Sequence, residues 1–321
     1  MGPASKSVDR TASGCEGRAV TGVPKLHDDE VDIDSAVVER LLAEQFPRWA
    51  GLPVRVIERS GTDNVTFRVG DDLSVRLPRT SRNQGQVEMD LTWMPRLAPH
   101  VSLPIPEPLE LGQPSEIYPF TWGVYRWLPG APFVPSADDT QAAHDLARFV
   151  RTLREVDATG APVPDDDPFS RGTPLAPRDA MFREALDELR EHFDTARVLA
   201  AWEESLAADT WDGPPSWIHG DLMSGNLLVA NGKLSAVIDF ATARAADPAG
   251  DVLPAWWIFE GESRKVYREA LEVDETTWLR ARGWALSLVI IAIPYYMTRF
   301  PDTLPNGQAT VTDILSTQGP A

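Results

Sequence analysis

Cysteine is nearly missing: Cys15 is the only one in 321 residues, which excludes an intramolecular disulfide and a zinc site built on thiolates. Lysine is absent from the whole stretch between Lys25 and Lys233, so no ammonium is available there to meet an anion. No run of eighteen apolar residues occurs; the longest, residues 285–293, is too short to cross a bilayer. The N-terminus lacks the apolar centre of a signal peptide. Together these absences set the expectation of a cytoplasmic protein with no membrane partner. Positive charge is also scarce. The net charge is −18, and the excess acid falls in residues 128–321, which hold 16 basic and 30 acidic groups. That distribution argues against a nucleic-acid face, which needs a basic surface. It fits equally a plainly solvated acidic surface and the capture of a cationic small molecule by carboxylates. No internal repeat stands out, and the length suits two lobes.

Residues 1–33 mix Gly, Ser, Lys, Arg and Asp without periodicity and read as a disordered extension. A helix is expected over residues 35–46, capped by Asp34 or Ser35. Residues 54–77 read as three strands separated by Ser60-Gly61-Thr62-Asp63-Asn64 and Gly70-Asp-Asp72. Helical periodicity returns near residues 84–97 and 137–156, then over 178–206 and 282–299. Residues 300–321 read as a loose tail.

The chemistry is concentrated in Trp217-Ile-His-Gly-Asp-Leu-Met-Ser-Gly-Asn-Leu-Leu-Val229, followed by Leu234-Ser-Ala-Val-Ile-Asp-Phe240. Asn231-Gly232 between two apolar runs is the strongest short hairpin signal. Such a hairpin carries Asn226 just before its first strand and Asp239 just after its second, so that His219, Asp221, Asn226 and Asp239 converge at one end. A base beside oxygen ligands for Mg²⁺ is the set that phosphoryl transfer requires. The spacing matches the kinase pattern H-x-D-x-x-x-x-N followed by D-F. In its H-G-D form it resembles the aminoglycoside phosphotransferase family of small-molecule kinases. Taken alone, the polar residues would be turn-capping groups on an ordinary hairpin.

The resemblance covers roughly residues 35–299. It implies an α+β, bilobal, protein-kinase-like fold with a small antiparallel-sheet lobe over 34–127, which binds the nucleotide. A mainly helical lobe over 128–299 then carries catalysis and substrate. It further implies Asp221 as the base, with His219 supporting the loop, and Asn226 and Asp239 as Mg²⁺ ligands. Asp251 is implied as a buried acceptor for the loop backbone, although it can equally cap the helix that follows. There is no G-x-G-x-x-G; the turn with Gly61 and Asn64 takes its place over the phosphates. Arg76 stands where kinases keep a phosphate-binding Lys, with Glu88 as its helix partner, although an ordinary ion pair would read the same way. Arg79 and Arg82 are further phosphate candidates. Backbone groups near Arg126 and Leu128, in Tyr125-Arg-Trp-Leu-Pro-Gly130, would meet adenine.

The expected activity is transfer of the γ-phosphoryl group of ATP or GTP to a hydroxyl of a cationic small molecule, such as an aminoglycoside antibiotic, and hence antibiotic resistance. The same motif serves macrolide, choline, sugar and amino-alcohol kinases. The missing Lys and glycine-rich loop leave a nucleotide-binding pseudokinase as the alternative of another class. Trp256, Trp257 and Phe259 beside Glu260 and Glu262 read either as core or as a cradle for a sugar or ammonium.

Overall fold

Asp34 starts a helix: its carboxylate accepts the N–H of Val37 at 2.8 Å, satisfying a first-turn donor that has no partner within the helix. The computed structural model describes residues 30–57, 63–136, 138–165, 167–298, 300 and 302–316. They fall into two compact units. One comprises the described residues up to Gln84 together with Gly112–Trp122. The other comprises Gly85–Leu111 and the described residues from Gly123 onward. Residues 1–29 of the expected extension lie outside the described residues. At its described end, Glu30 makes a buried ion pair with Arg79 at 2.7 Å.

In the first unit, α1 (Ser35–Gln45) buries Val38, Leu41 and Leu42. Strands β1 (Val54–Val56), β2 (Asn64–Val69) and β3 (Leu73–Pro78) pair antiparallel in sequence order, with Val56 opposite Phe67 and Phe67 opposite Val75. Val65, Phe67 and Val69 on β2 and Leu73, Val75 and Leu77 on β3 are buried, the period-two pattern of a strand with one face on a core.

The second unit begins with α2 (Gln86–Leu97). Strands β4 (Pro108–Gly112) and β5 (Trp122–Arg126) are neighbours. β6 (Ala131–Pro132) leads to α3 (Thr140–Arg154), whose Leu146, Phe149, Val150 and Leu153 are buried. Two helices follow, α4 (Asp179–Glu188) and α5 (Thr195–Leu206), and then β7 (Ser216–Ile218). β8 (Leu227–Ala230) and β9 (Lys233–Val237) form the Asn231-Gly232 hairpin, with both turn residues at positive φ, +53° and +73°, as a tight two-residue turn requires. β6 pairs with β8, and β10 (Arg244–Ala246) pairs antiparallel with β7. The chain closes with α6 (Pro254–Trp257), α7 (Gly261–Leu271), α8 (Glu275–Tyr296) and α9 (Thr303–Ser316). An antiparallel sheet in the N-terminal part and a mainly helical C-terminal part make this the expected α+β class.

Three helical expectations need correction. Residues 178–206 are two helices, not one, because Asp194 caps a new start by accepting from Arg197 N at 3.2 Å. The helix expected over 282–299 begins at Glu275, since Arg280 and Arg282 are buried and read in sequence as a polar boundary. Arg280 spends its charge on Asp247 at 2.7 and 3.2 Å. The expected loose tail is replaced over 303–316 by α9, which packs on α8 and buries Val311, Ile314 and Leu315. Among the described residues, no helix is long and apolar enough to cross a membrane.

Candidate active site

The hairpin β8–β9 and strand β7 deliver their polar ends to one place. β7 runs into His219-Gly220-Asp221, a short 3-10 turn at 224–226 precedes β8, and Asp239 follows β9 by two residues. The Ile238 peptide ties these segments together. Its N–H donates to Asn226 O at 2.9 Å, and its carbonyl accepts from His219 Nε2 at 3.1 Å. His219 Nδ1 in turn accepts the N–H of Asp221 at 3.2 Å. A carbonyl only accepts and an amide N–H only donates, so the two bonds fix the tautomer with the proton on Nε2. His219 is fully buried and stacks edge-on to Phe240, with ring centres 4.6 Å apart. It faces the interior of the loop and holds its shape.

Behind the loop stands Asp251. Its Oδ2 accepts His219 N–H at 2.7 Å and its Oδ1 accepts Gly220 N–H at 2.8 Å. Tyr267 donates its hydroxyl to the Asp251 carbonyl at 2.7 Å. Burial pushes the Asp251 carboxyl above the ordinary carboxylate range, while the two N–H donors and the charge of Arg154 pull it down. Gly220 sits at φ +79° with Thr242 Oγ1 and O and Arg171 Cβ all 3.1–3.2 Å from where a Cβ would lie, so both conformation and space call for glycine.

Asp221 and Asn226 are joined directly. Asn226 Nδ2 donates to the Asp221 carbonyl at 2.8 Å and to Asp221 Oδ2 at 3.0 Å. With its amide nitrogen committed to two acceptors, Asn226 presents Oδ1 as its remaining polar atom. Asp239 is half-buried and adopts φ +68°, a left-handed conformation that Asp tolerates better than most residues. An amide oxygen and a carboxylate are the hard donors that suit Mg²⁺, which takes few protein ligands and keeps waters and phosphate oxygens for the rest. Among the described residues no group of three or more His, Cys, Asp or Glu is placed to hold a metal ion by itself.

The residues expected to meet the nucleotide are placed as follows. Arg76 is half-buried on β3, and Asn64 is buried at the start of β2; Gly61 lies outside the described residues. Glu88 is half-buried in the first turn of α2. Arg79, a phosphate candidate in sequence, is instead buried against Glu30, while Arg82 is exposed. The N–H of Arg126 donates to Glu107 O at 2.9 Å, and its guanidinium pairs with the Glu107 carboxylate at 2.6 Å; this bond is the main reason the Glu107 carboxyl is held below its usual range. Leu128 is half-buried just beyond β5.

Two residues escaped sequence reasoning. Asp90 is buried on α2, accepting from Tyr125 Oη at 2.7 Å and from Gln86 Nε2 at 2.8 Å. Arg171, fifty residues before Asp221 in sequence, donates Nε to Gly220 O at 3.0 Å and places Nη2 3.9 Å from Asp221 Oδ1. Neither belongs to a readable motif. The aromatic group resolves mostly to core. Trp256 and Phe259 are buried and Trp257 is half-buried. They line a groove of about 330 Å³ with Glu260, Arg264 and Asp313. Glu260 is committed to capping α7, and Asp313 is paired with Arg264.

Residues 54–284 match the phosphotransferase enzyme family. Solved structures share the fold. The GDP complex of wild-type aminoglycoside 2'-phosphotransferase-IIIa is 20% identical, with 89% of this chain and 100% of that chain covered and a TM-score of 0.68. The GDP and kanamycin complex of APH(2")-IIia is 20% identical, with 88% and 99% covered and a TM-score of 0.67. The macrolide 2'-phosphotransferase MphH from Brachybacterium faecium, an apoenzyme, is 22% identical, with 89% and 99% covered and a TM-score of 0.57. No curated protein sequence matches the chain.

Proposed function

The chain belongs to the phosphotransferase enzyme family, and from that premise we propose that it transfers the γ-phosphoryl group of ATP or GTP to a hydroxyl of a cationic small molecule of the aminoglycoside type. Asp221 takes the proton of the attacking hydroxyl as its oxygen bonds to the γ-phosphorus. The bond from that phosphorus to the bridging oxygen breaks, and its electron pair leaves with the nucleoside diphosphate. Asn226 Oδ1 and the Asp239 carboxylate would hold Mg²⁺, which would supply neutralisation of charge on the phosphate oxygens. Arg76 is assigned the anchoring of the phosphates. Asn64 is assigned to the phosphates, and the backbone near Arg126 and Leu128 to the base. His219 and Asp251 keep the loop in register. Residues 34–127 serve the nucleotide and 128–299 serve catalysis and the acceptor.

The observation that carries this reading is the pair of hydrogen bonds that Asn226 Nδ2 donates to Asp221 O and Oδ2. It locks the proposed proton acceptor and an amide side chain into one unit, which a pure nucleotide binder has no use for. The finer substrate class draws on the acid excess of residues 128–321 and on the kanamycin carried by one relative. A macrolide acceptor is the second reading, favoured by the likeness to MphH and by the aromatic groove, whose carboxylates are already engaged.

Asp221→Asn tests the base. Nucleotide release assayed against kanamycin and against erythromycin should fall by about 10²–10⁴, while binding of a fluorescent nucleotide stays within about twofold of wild type. Full turnover by Asp221→Asn would refute the assignment, and turnover with only one of the two acceptors decides the substrate class.

A further inference from the structure

Arg171 is built into the site more firmly than a surface arginine. The segment leading into it is pinned by two other arginines, at Pro168 and at Ser170. Arg178, fully buried, bonds Ser287 Oγ at 2.9 Å and the Pro168 carbonyl, and its guanidinium lies between the rings of Trp284 and Phe169, at 4.5 and 5.3 Å. Arg244 bonds Ser170 Oγ and, through Nε, Thr242 O at 2.9 Å. Thr242 Oγ1 in turn donates to His219 O at 2.8 Å. Gly172, at φ +76°, lets the chain turn where a Cβ would come within 2.4 Å of Ala246 Cβ. Arg171 therefore emerges from a braced segment, and its side chain is only 19% exposed.

Two of its three contacts serve the loop that bears the base. Nε takes the Gly220 carbonyl at 3.0 Å, Nη1 reaches Phe169 O at 3.5 Å, and Nη2 faces Asp221 Oδ1 from 3.9 Å. Asn226 holds the other carboxylate oxygen, Oδ2. The loop 219–226 contains no Lys or Arg of its own, so a cation reaches this carboxylate from a distant segment. At 3.9 Å the pair is too long for a hydrogen bond, which leaves Oδ1 able to accept the proton of an incoming hydroxyl while the charge fixes its direction. Burial pushes the Arg171 guanidinium down and the Asp221 carboxylate pushes it back up.

We propose that Arg171 is a positioning residue of the phosphotransfer reaction: with Asn226 it holds the Asp221 carboxylate in the orientation that receives the acceptor hydroxyl. The inference rests on the phosphotransferase reading above. An orientation device of this kind acts on turnover and leaves nucleotide binding alone, because misplacing a reacting group by about 1 Å costs on the order of 10² in rate.

The test compares wild type, Arg171→Ala, Arg171→Gln and Arg171→Lys, assayed with Mg-ATP and Mg-GTP against kanamycin, against erythromycin and with water alone as acceptor. Thermal unfolding serves as the control for folding. We expect kcat of the Ala and Gln variants to fall about 10²-fold with the nucleotide KM within about twofold of wild type. Arg171→Lys should recover part of the loss, and added guanidinium ion should raise kcat of Arg171→Ala without raising that of wild type. If Arg171→Ala does not fold, Arg171→Gln alone is decisive, since it can keep the bond to Gly220 while losing the charge. A kcat within about threefold of wild type in the folded Ala or Gln variant, or a loss carried mainly by KM, overturns the inference and leaves the phosphotransferase reading standing. A wild type that releases no nucleoside diphosphate with any acceptor overturns both.

Discussion

Asp251 and His219 are joined by one backbone hydrogen bond of 2.7 Å, from the His219 N–H to Asp251 Oδ2, while Oδ1 of the same carboxylate takes the next N–H, that of Gly220, at 2.8 Å. A single buried side chain thus satisfies both amides at the point where β7 gives way to the loop. Replacing it with Ala leaves two buried donors without partners, a cost of about 1–3 kcal/mol each. Asp251→Ala should therefore lower the urea midpoint sharply and abolish turnover. Asp251→Asn, which keeps one acceptor, should lie between Ala and wild type. An unchanged midpoint in Asp251→Ala would contradict the clamp.

Asn226→Ala removes the amide that steadies Asp221 and the oxygen assigned to Mg²⁺. Turnover should drop by about 10²-fold or more, and the Mg²⁺ concentration for half-maximal rate should rise. Chelation by EDTA should silence the wild type, with activity returning on added Mg²⁺. A variant with reduced turnover and an unaltered Mg²⁺ titration would separate the two roles and remove the ligand assignment.

Gly172→Ala should be costly twice. It imposes a Cβ on a positive-φ residue and drives that Cβ to 2.4 Å from Ala246 Cβ. A loss of about 1–3 kcal/mol is expected, read as a shift in thermal midpoint. Because the neighbouring residue is Arg171, the loss of kcat should exceed the loss of nucleotide affinity.

The start of α8 carries a pH dependence. Asp274 Oδ1 accepts the Thr277 N–H at 2.6 Å, and this bond holds its carboxyl below the usual range. A lowered folded-state pKa contributes stability above the unfolded value and loses it as pH falls through the folded one. Asp274→Ala should cost about 1 kcal/mol at pH 7. The gap from wild type should narrow below about pH 4. A gap that widened in acid would overturn the sign.

The hairpin and its polar ends were readable because they are local: Asn231-Gly232 sets the turn, and spacing alone places Asn226 and Asp239 at its base. The break between α4 and α5 was marked by Asp194, but that capping signal lies inside a stretch whose apolar periodicity runs on unbroken. Helix α9 was hidden by Pro305 and Gly307, which read as breakers; Pro305 falls in the first turn, where a missing N–H loses no intrahelical bond. Arg171 and Asp90 owe their importance to contacts 49 and 35 residues away in sequence, and no periodic pattern encodes such pairs.

The backbone at Asp239, held at φ +68°, has a consequence for engineering this chain. Glycine is relaxed in that geometry, whereas aspartate carries strain of about 1 kcal/mol. A library screened only for heat resistance should thus drift toward glycine at position 239 and yield robust but inert proteins. Selection for hardiness and selection for turnover pull in opposite directions at that one codon.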